Sequence, residues 1–161
     1  MTDMRHETSL PKIKIRGLTS YEAAFEDLLT RIPADVRRLR GAGYKVHRPV
    51  VFFLSDGQPT DKEAWQQPHG RLTDRARTPT APDIVACGIG DALASTMVKV
   101  ATRPEFAFVA KPATDIGQAV AEFFHALTAS IVASGHALGS GAPELVVTRP
   151  DQFSLAIDEA G

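Results

Sequence analysis

Residues Val50-Val51-Phe52-Phe53-Leu54 form an unbroken apolar run that stops at Ser55-Asp56-Gly57. A run of this length with no polar alternation predicts a strand buried on both faces, as in a parallel sheet covered by helices. Gly57 and Pro59 turn the chain out of the strand. That places Asp56 at the carboxyl end of a central strand, the edge where open α/β sheets bind their ligands. A second carboxylate, Asp61, follows in the same loop.

The elements around this run alternate. Ala23, Ala24, Leu28, Ile32, Val36 and Leu39 recur at helical spacing, with Thr19 or Ser20 as N-cap, Pro33 as a kink or division, and Gly41-Ala42-Gly43 as the stop. Arg37, Arg38 and Arg40 near that stop suit a solvated helix end. A short helix is expected over residues 60–65, a second buried strand over 83–90, a helix over 91–101 capped by Asp91, and a third strand over 105–109. Thr114 or Asp115 opens a last long helix with Ile116, Ala119, Val120, Phe123, Phe124, Leu127 and Ile131 as its apolar stripe. Residues 134–141, rich in Gly and Ser, read as a linker, and Leu145-Val146-Val147-Thr148 is the one β-like run of the tail. Alternating helices and strands predict an α/β fold: an open, mostly parallel, Rossmann-like sheet flanked by helices.

Composition narrows the function classes. The 161 residues suit one domain, with 43% hydrophobic and 23% charged residues and a net charge of -1. Interspersed charges give no basic face for nucleic acid or for a membrane surface. No stretch is read as a membrane span or a secretory signal, so a cytoplasmic location is the expectation. The single cysteine, Cys87, sits in an apolar run and reads as a buried thiol. His47, His69, His125 and His136 are scattered, without metal-ligand spacing. Gly88-Ile89-Gly90 lacks the third glycine of a dinucleotide loop and reads as strand-end packing. No Gly-x-Ser-x-Gly elbow surrounds Ser20, Ser55 or Ser130.

Phe53-Leu54-Ser55-Asp56-Gly57-Gln58-Pro59-Thr60-Asp61 resembles the strand-to-loop segment of von Willebrand factor type A domains, and is similar to the bacterial TerY-like group associated with tellurite resistance. Cys87-Gly88-Ile89-Gly90-Asp91 and Phe106-Ala107-Phe108 add to the likeness. The resemblance covers residues 11–134, leaving 1–10 as a frayed start and 135–161 as linker and tail. It implies a protein–protein interaction module, not an enzyme, whose partner is gripped through a metal-ion-dependent adhesion site. Gly17-Leu18-Thr19-Ser20-Tyr21 resembles the second loop of that site, with Thr19 as a hydroxyl ligand; Asp56 matches the third loop. A magnesium or manganese ion is implied, since such hard cations take about six oxygens.

The first loop of the family, Asp-x-Ser-x-Ser, is absent from the chain. The resemblance therefore implies a domain lacking its first strands, with an incomplete metal site. The missing strand lies in the family beside the one matched by residues 50–54, so its absence exposes an apolar sheet edge. A later start than the true one, a gene fragment, or strands supplied by another chain each account for this. The competing reading from the residues alone is a metal-assisted phosphohydrolase using Asp56 and Asp61, with Asp91 as a further carboxylate.

Overall fold

Helix α1 (Tyr21–Gly41) starts at Ser20, whose extended backbone and side chain cap it: Ser20 Oγ accepts the Ala23 N–H at 3.1 Å. It ends in a Schellman arrangement. Tyr44 N–H donates to Leu39 O at 3.1 Å and Gly43 N–H to Arg40 O at 3.0 Å. Gly43 holds the left-handed conformation this needs, with φ +85°. The helix runs on through Pro33 without division. Ile32 and Val36, on either side of Pro33, are both buried, and packing of that stripe offsets the hydrogen bond proline cannot make.

The computed structural model describes residues 20–112, 114–140 and 145–160. The described residues gather into two compact units, one within Met1–Pro49 and Pro59–Ala81, the other within Val50–Gln58 and Pro82–Gly161.

In the first unit α1 packs on α2 (Gln66–Thr73). The buried stripe of α1 is Tyr21, Phe25, Ile32 and Val36; Ala23, expected in it, is exposed. Tyr21 and Phe25 each lie 5.9 Å, centroid to centroid, from the buried Trp65, and His69 lies 5.0 Å from Phe25. These aromatic edges, with Pro68 and Leu72, make the core between the helices. The helix expected over 60–65 is displaced to α2. Residues 60–65 form turns, and the left-handed φ of Lys62 (+52°) breaks any helix there.

The second unit holds the sheet: β1 (Val50–Ser55), β2 (Asp83–Gly88), β3 (Ala107–Ala110) and β4 (Phe153–Leu155), in the order β1-β2-β3-β4. β1, β2 and β3 are parallel and β4 is antiparallel to β3. The α/β class and the open, mostly parallel sheet agree with the sequence reading. The position of β1 differs from the central place its apolar run suggested and is the exposed edge expected where the neighbouring strand is absent. Among the described residues it pairs with β2 alone and sits at the sheet edge, with Val50 to Leu54 half-buried. The strand buried along its whole length is β2.

Register sorts the side chains. Phe52 sits beside Val85, and Leu54 beside Cys87, which sits beside Phe108. With Phe123, Ala126 and Leu127 of α4 (Ile116–Gly139), residues of this face close on a void of about 10 Å³, too small for a ligand. The other face receives α3 (Ala94–Val100). Its Met97 lies so close to Gly88 that a Cβ there would stand 3.0 Å from Met97 Cγ and 2.9 Å from Ala92 Cβ. The short α5 (Ala156–Glu159) packs against α3.

Four further expectations change. α4, capped by Asp115 (Oδ1 accepts the Gln118 N–H at 3.1 Å), continues to Gly139 through the stretch read as a linker. Leu145 to Thr148 joins no strand. Ser130 and Ser134 of α4 bind it instead: Thr148 N–H donates to Ser130 Oγ at 2.9 Å and Val146 N–H to Ser134 Oγ at 3.0 Å. The α3 helix starts at Ala94, after Asp91, with Leu93 at its N-cap. Finally, residues Ile116–Ala137 of α4 are long and apolar enough, by length and composition, to cross a membrane, contrary to the sequence reading. The run also carries Gln118, Glu122, His125 and His136, so it is not one continuous apolar block.

Candidate functional site

At the carboxyl ends of β1 and β2 two loops brace each other. Ser55 is buried and folds its hydroxyl back, donating to Gly57 O at 3.0 Å. Ile89 N–H donates to Ser55 O at 2.9 Å and Asp91 N–H to Asp56 O at 3.1 Å, so the backbone ladder continues past the strand ends. Gly90 makes this approach fit. Its φ is +56°, and a Cβ at this position would lie 3.0 Å from Asp56 O. The Gln58 side chain spans the same gap. Its Nε2 donates to Asp91 O at 2.9 Å, and its Oε1 accepts from Thr96 Oγ1 at 2.9 Å.

The result is a braced backbone turn that leaves the Asp56 side chain exposed. Asp91, also exposed, lies on the neighbouring loop. Gly90 does the strand-end packing expected of Gly88-Ile89-Gly90; the sequence reading gave no bracing role to Gln58, which it placed in the loop, or to Thr96, because their contact joins residues 38 apart.

The remaining candidates fall elsewhere. Thr19 lies outside the described residues. Asp61, in the first unit, is a cap: its Oδ2 accepts from Ser20 Oγ at 3.0 Å and from Glu22 N–H at 2.7 Å. Its Oδ1 is buried and has no partner among the described residues. Asp61 therefore serves the start of α1, which takes it away from the carboxylate set of a phosphohydrolase. His69 belongs to the aromatic core; His125 and His136 are exposed on α4. Among the described residues no three His, Cys, Asp or Glu side chains gather as a metal would require. Asp56 and Asp91 offer two carboxylates where magnesium takes about six oxygens, so the described donors fit only part of such a site.

A cleft of about 140 Å³ in the first unit is lined by Arg40, His47, Arg48 and Thr80 among others. Arg48 donates to Ala81 O at 3.0 Å. The cleft lies by the C-terminal end of α1, where basic side chains complement the negative end of the helix dipole. Cys87 is buried in β2, and burial pushes its thiol up to about 12, so it is not a nucleophile at neutral pH.

Comparison with protein-family models, with curated proteins and with solved structures gave no match. What the chain defines is therefore a class: an α/β protein with an open, mostly parallel sheet flanked by helices, consistent with a Rossmann-like fold.

Proposed function

We propose that the chain is a protein–protein interaction module of von Willebrand factor A type, with an incomplete metal-ion-dependent adhesion site to which it contributes Asp56. The observation that carries this reading is the exposed Asp56 on a loop braced from both sides by Gln58 and Gly90 at the carboxyl end of β1. A carboxylate on a stiff turn at a sheet edge is pre-positioned to meet a partner, with little ordering of its own backbone left to do on binding. Asp56 would hold a magnesium or manganese ion only together with ligands from outside the described edge, and such an ion would supply positive charge for an oxygen of a protein partner. The same resemblance supports reading it as a bacterial cytoplasmic protein of a stress or tellurite-resistance system.

The test is direct. Manganese titrated into the full chain and followed by electron paramagnetic resonance should lose free-ion signal, and Asp56→Ala should restore it with no change in thermal stability. Equal manganese binding by wild type and Asp56→Ala would remove Asp56, and with it the adhesion-site reading.

A further inference from the structure

We propose that the cleft by the C-terminal end of α1 binds a phosphate dianion, free or as the monoester of a small molecule. The cleft lies wholly within the first unit. It shares no residue with the Asp56 loop, and the inference stands whether or not the adhesion-site reading holds.

The charge of the cleft is of one sign. Arg40 comes from the last turn of α1, and His47 and Arg48 from the segment that leads to β1; none of the lining residues is Asp or Glu. Elsewhere in the first unit four arginines are matched by carboxylates: Arg31 by Asp27 at 2.6 Å, Arg38 by Asp35 at 3.2 Å, Arg71 by Glu26 at 3.4 Å and Arg77 by Asp74 at 3.6 Å. Arg40 has no carboxylate partner among the described residues.

Capping of the helix does not call on Arg40 either. Ala42 N–H takes the carbonyls of Arg38 and Leu39, Gly43 N–H that of Arg40, and Tyr44 N–H that of Leu39 again, so backbone donors close the end of α1. Dipole attraction accounts for a positive charge near this end. It does not account for two guanidiniums and an imidazole on one concave surface.

The donors specify the ligand. A guanidinium only donates, in a planar fork that matches a pair of phosphate oxygens. Arg48 is anchored for such a contact: its Nη1 donates to Ala81 O at 3.0 Å, and Ala81 itself lines the cleft. Thr80 brings a hydroxyl and His47 a ring N–H to the same surface. Two permanently charged guanidiniums balance the roughly −1.5 to −2 charge of a phosphate monoester, whereas a carboxylate balances only one of them. Val36, Val46 and Pro49 add apolar wall, which lowers the local dielectric and strengthens the pairing. The volume of about 140 Å³ is below the roughly 300–1,000 Å³ of pockets that enclose a drug-sized ligand. The cleft therefore takes the phosphate group and leaves any larger remainder outside.

Isothermal titration calorimetry of the full chain at constant ionic strength tests this, with inorganic phosphate, glycerol phosphate and acetate as probes. Phosphate and glycerol phosphate should bind saturably at a single site, and acetate at least tenfold more weakly. Tighter binding of glycerol phosphate assigns the site to a carried phosphate, and tighter binding of inorganic phosphate to the free ion. Arg40→Gln, an exposed change between good helix formers, should weaken binding roughly tenfold or more with an unchanged thermal midpoint. If that variant misfolds, Arg48→Lys, which keeps the charge and loses the fork, takes its place and should also weaken binding. Arg37→Gln makes the same charge change on the same helix outside the cleft and should leave the affinity within about twofold. No saturable heat from either phosphate overturns the proposal. So does acetate binding as tightly as phosphate, and so does an Arg37→Gln loss equal to that of Arg40→Gln, which would make the attraction a diffuse effect of net charge.

Discussion

Asp61 Oδ2 accepts the backbone N–H of Glu22 at 2.7 Å, across 39 residues of chain. The loop after the apolar run thus closes the start of the first helix in the described chain. Together with Ser20 Oγ on Ala23 N–H, it satisfies two of the amide groups that α1 leaves open at its positive end. Asp61→Ala should cost about 1–2 kcal/mol in a thermal or urea melt, and Asp61→Asn, which keeps an acceptor, less. Equal losses in the two variants would mean that charge and not hydrogen bonding governs the contact.

Trp65 is the only tryptophan, and it is buried among Tyr21, Phe25 and His69. Its emission should therefore be blue-shifted in the native protein and should report the unfolding of the first unit. Trp65→Ala should remove about 3–5 kcal/mol from that unit. A red-shifted native emission would contradict the burial.

Gly90→Ala places a Cβ 3.0 Å from Asp56 O at a left-handed φ. The expected cost is about 1–2 kcal/mol, with loosening of the Asp56 turn that shows as faster amide exchange at Ile89 and Asp91. Unchanged exchange at both amides would show that the turn does not depend on Gly90.

Cys87 should resist thiol reagents in the native state and react on unfolding. Burial raises its ionisation from 9.0 to about 12. Unfolded chains release that proton near pH 9, and folded chains hold it until about pH 12. Between these values the unfolded state binds fewer protons, so stability falls as pH rises, with a slope approaching about 1.4 kcal/mol per pH unit, and is unaffected below pH 9. The difference between wild-type and Cys87→Ala stability curves over this range isolates the effect. Parallel curves would show that the thiol ionises alike in both states.

Much of the secondary structure was legible because it rests on local chemistry. The Ser20 and Asp115 caps, the Gly43 stop and the apolar β2 run each carry their signal in a few adjacent residues. The α2 boundary was missed because Lys62 adopts a left-handed turn that lysine does not advertise. The linker reading of residues 134–141 failed for a related reason. Gly and Ser disfavour an isolated helix, but Ser134 is held there by its hydrogen bond to residue 146.

The sequence by itself determined the alternation of helices and strands, the α/β class and the position of Asp56 at the end of a strand. These follow from hydrophobic period and turn chemistry, which act over a few residues. Tertiary structure alone decided that β2 is the strand buried along its whole length, because strand order depends on which strands pair and not on either strand's composition. It also decided that Asp61 caps α1 and that Gln58 locks the Asp56 turn to the next loop. Each of these is a contact between residues far apart in the chain, and no local pattern encodes the partner.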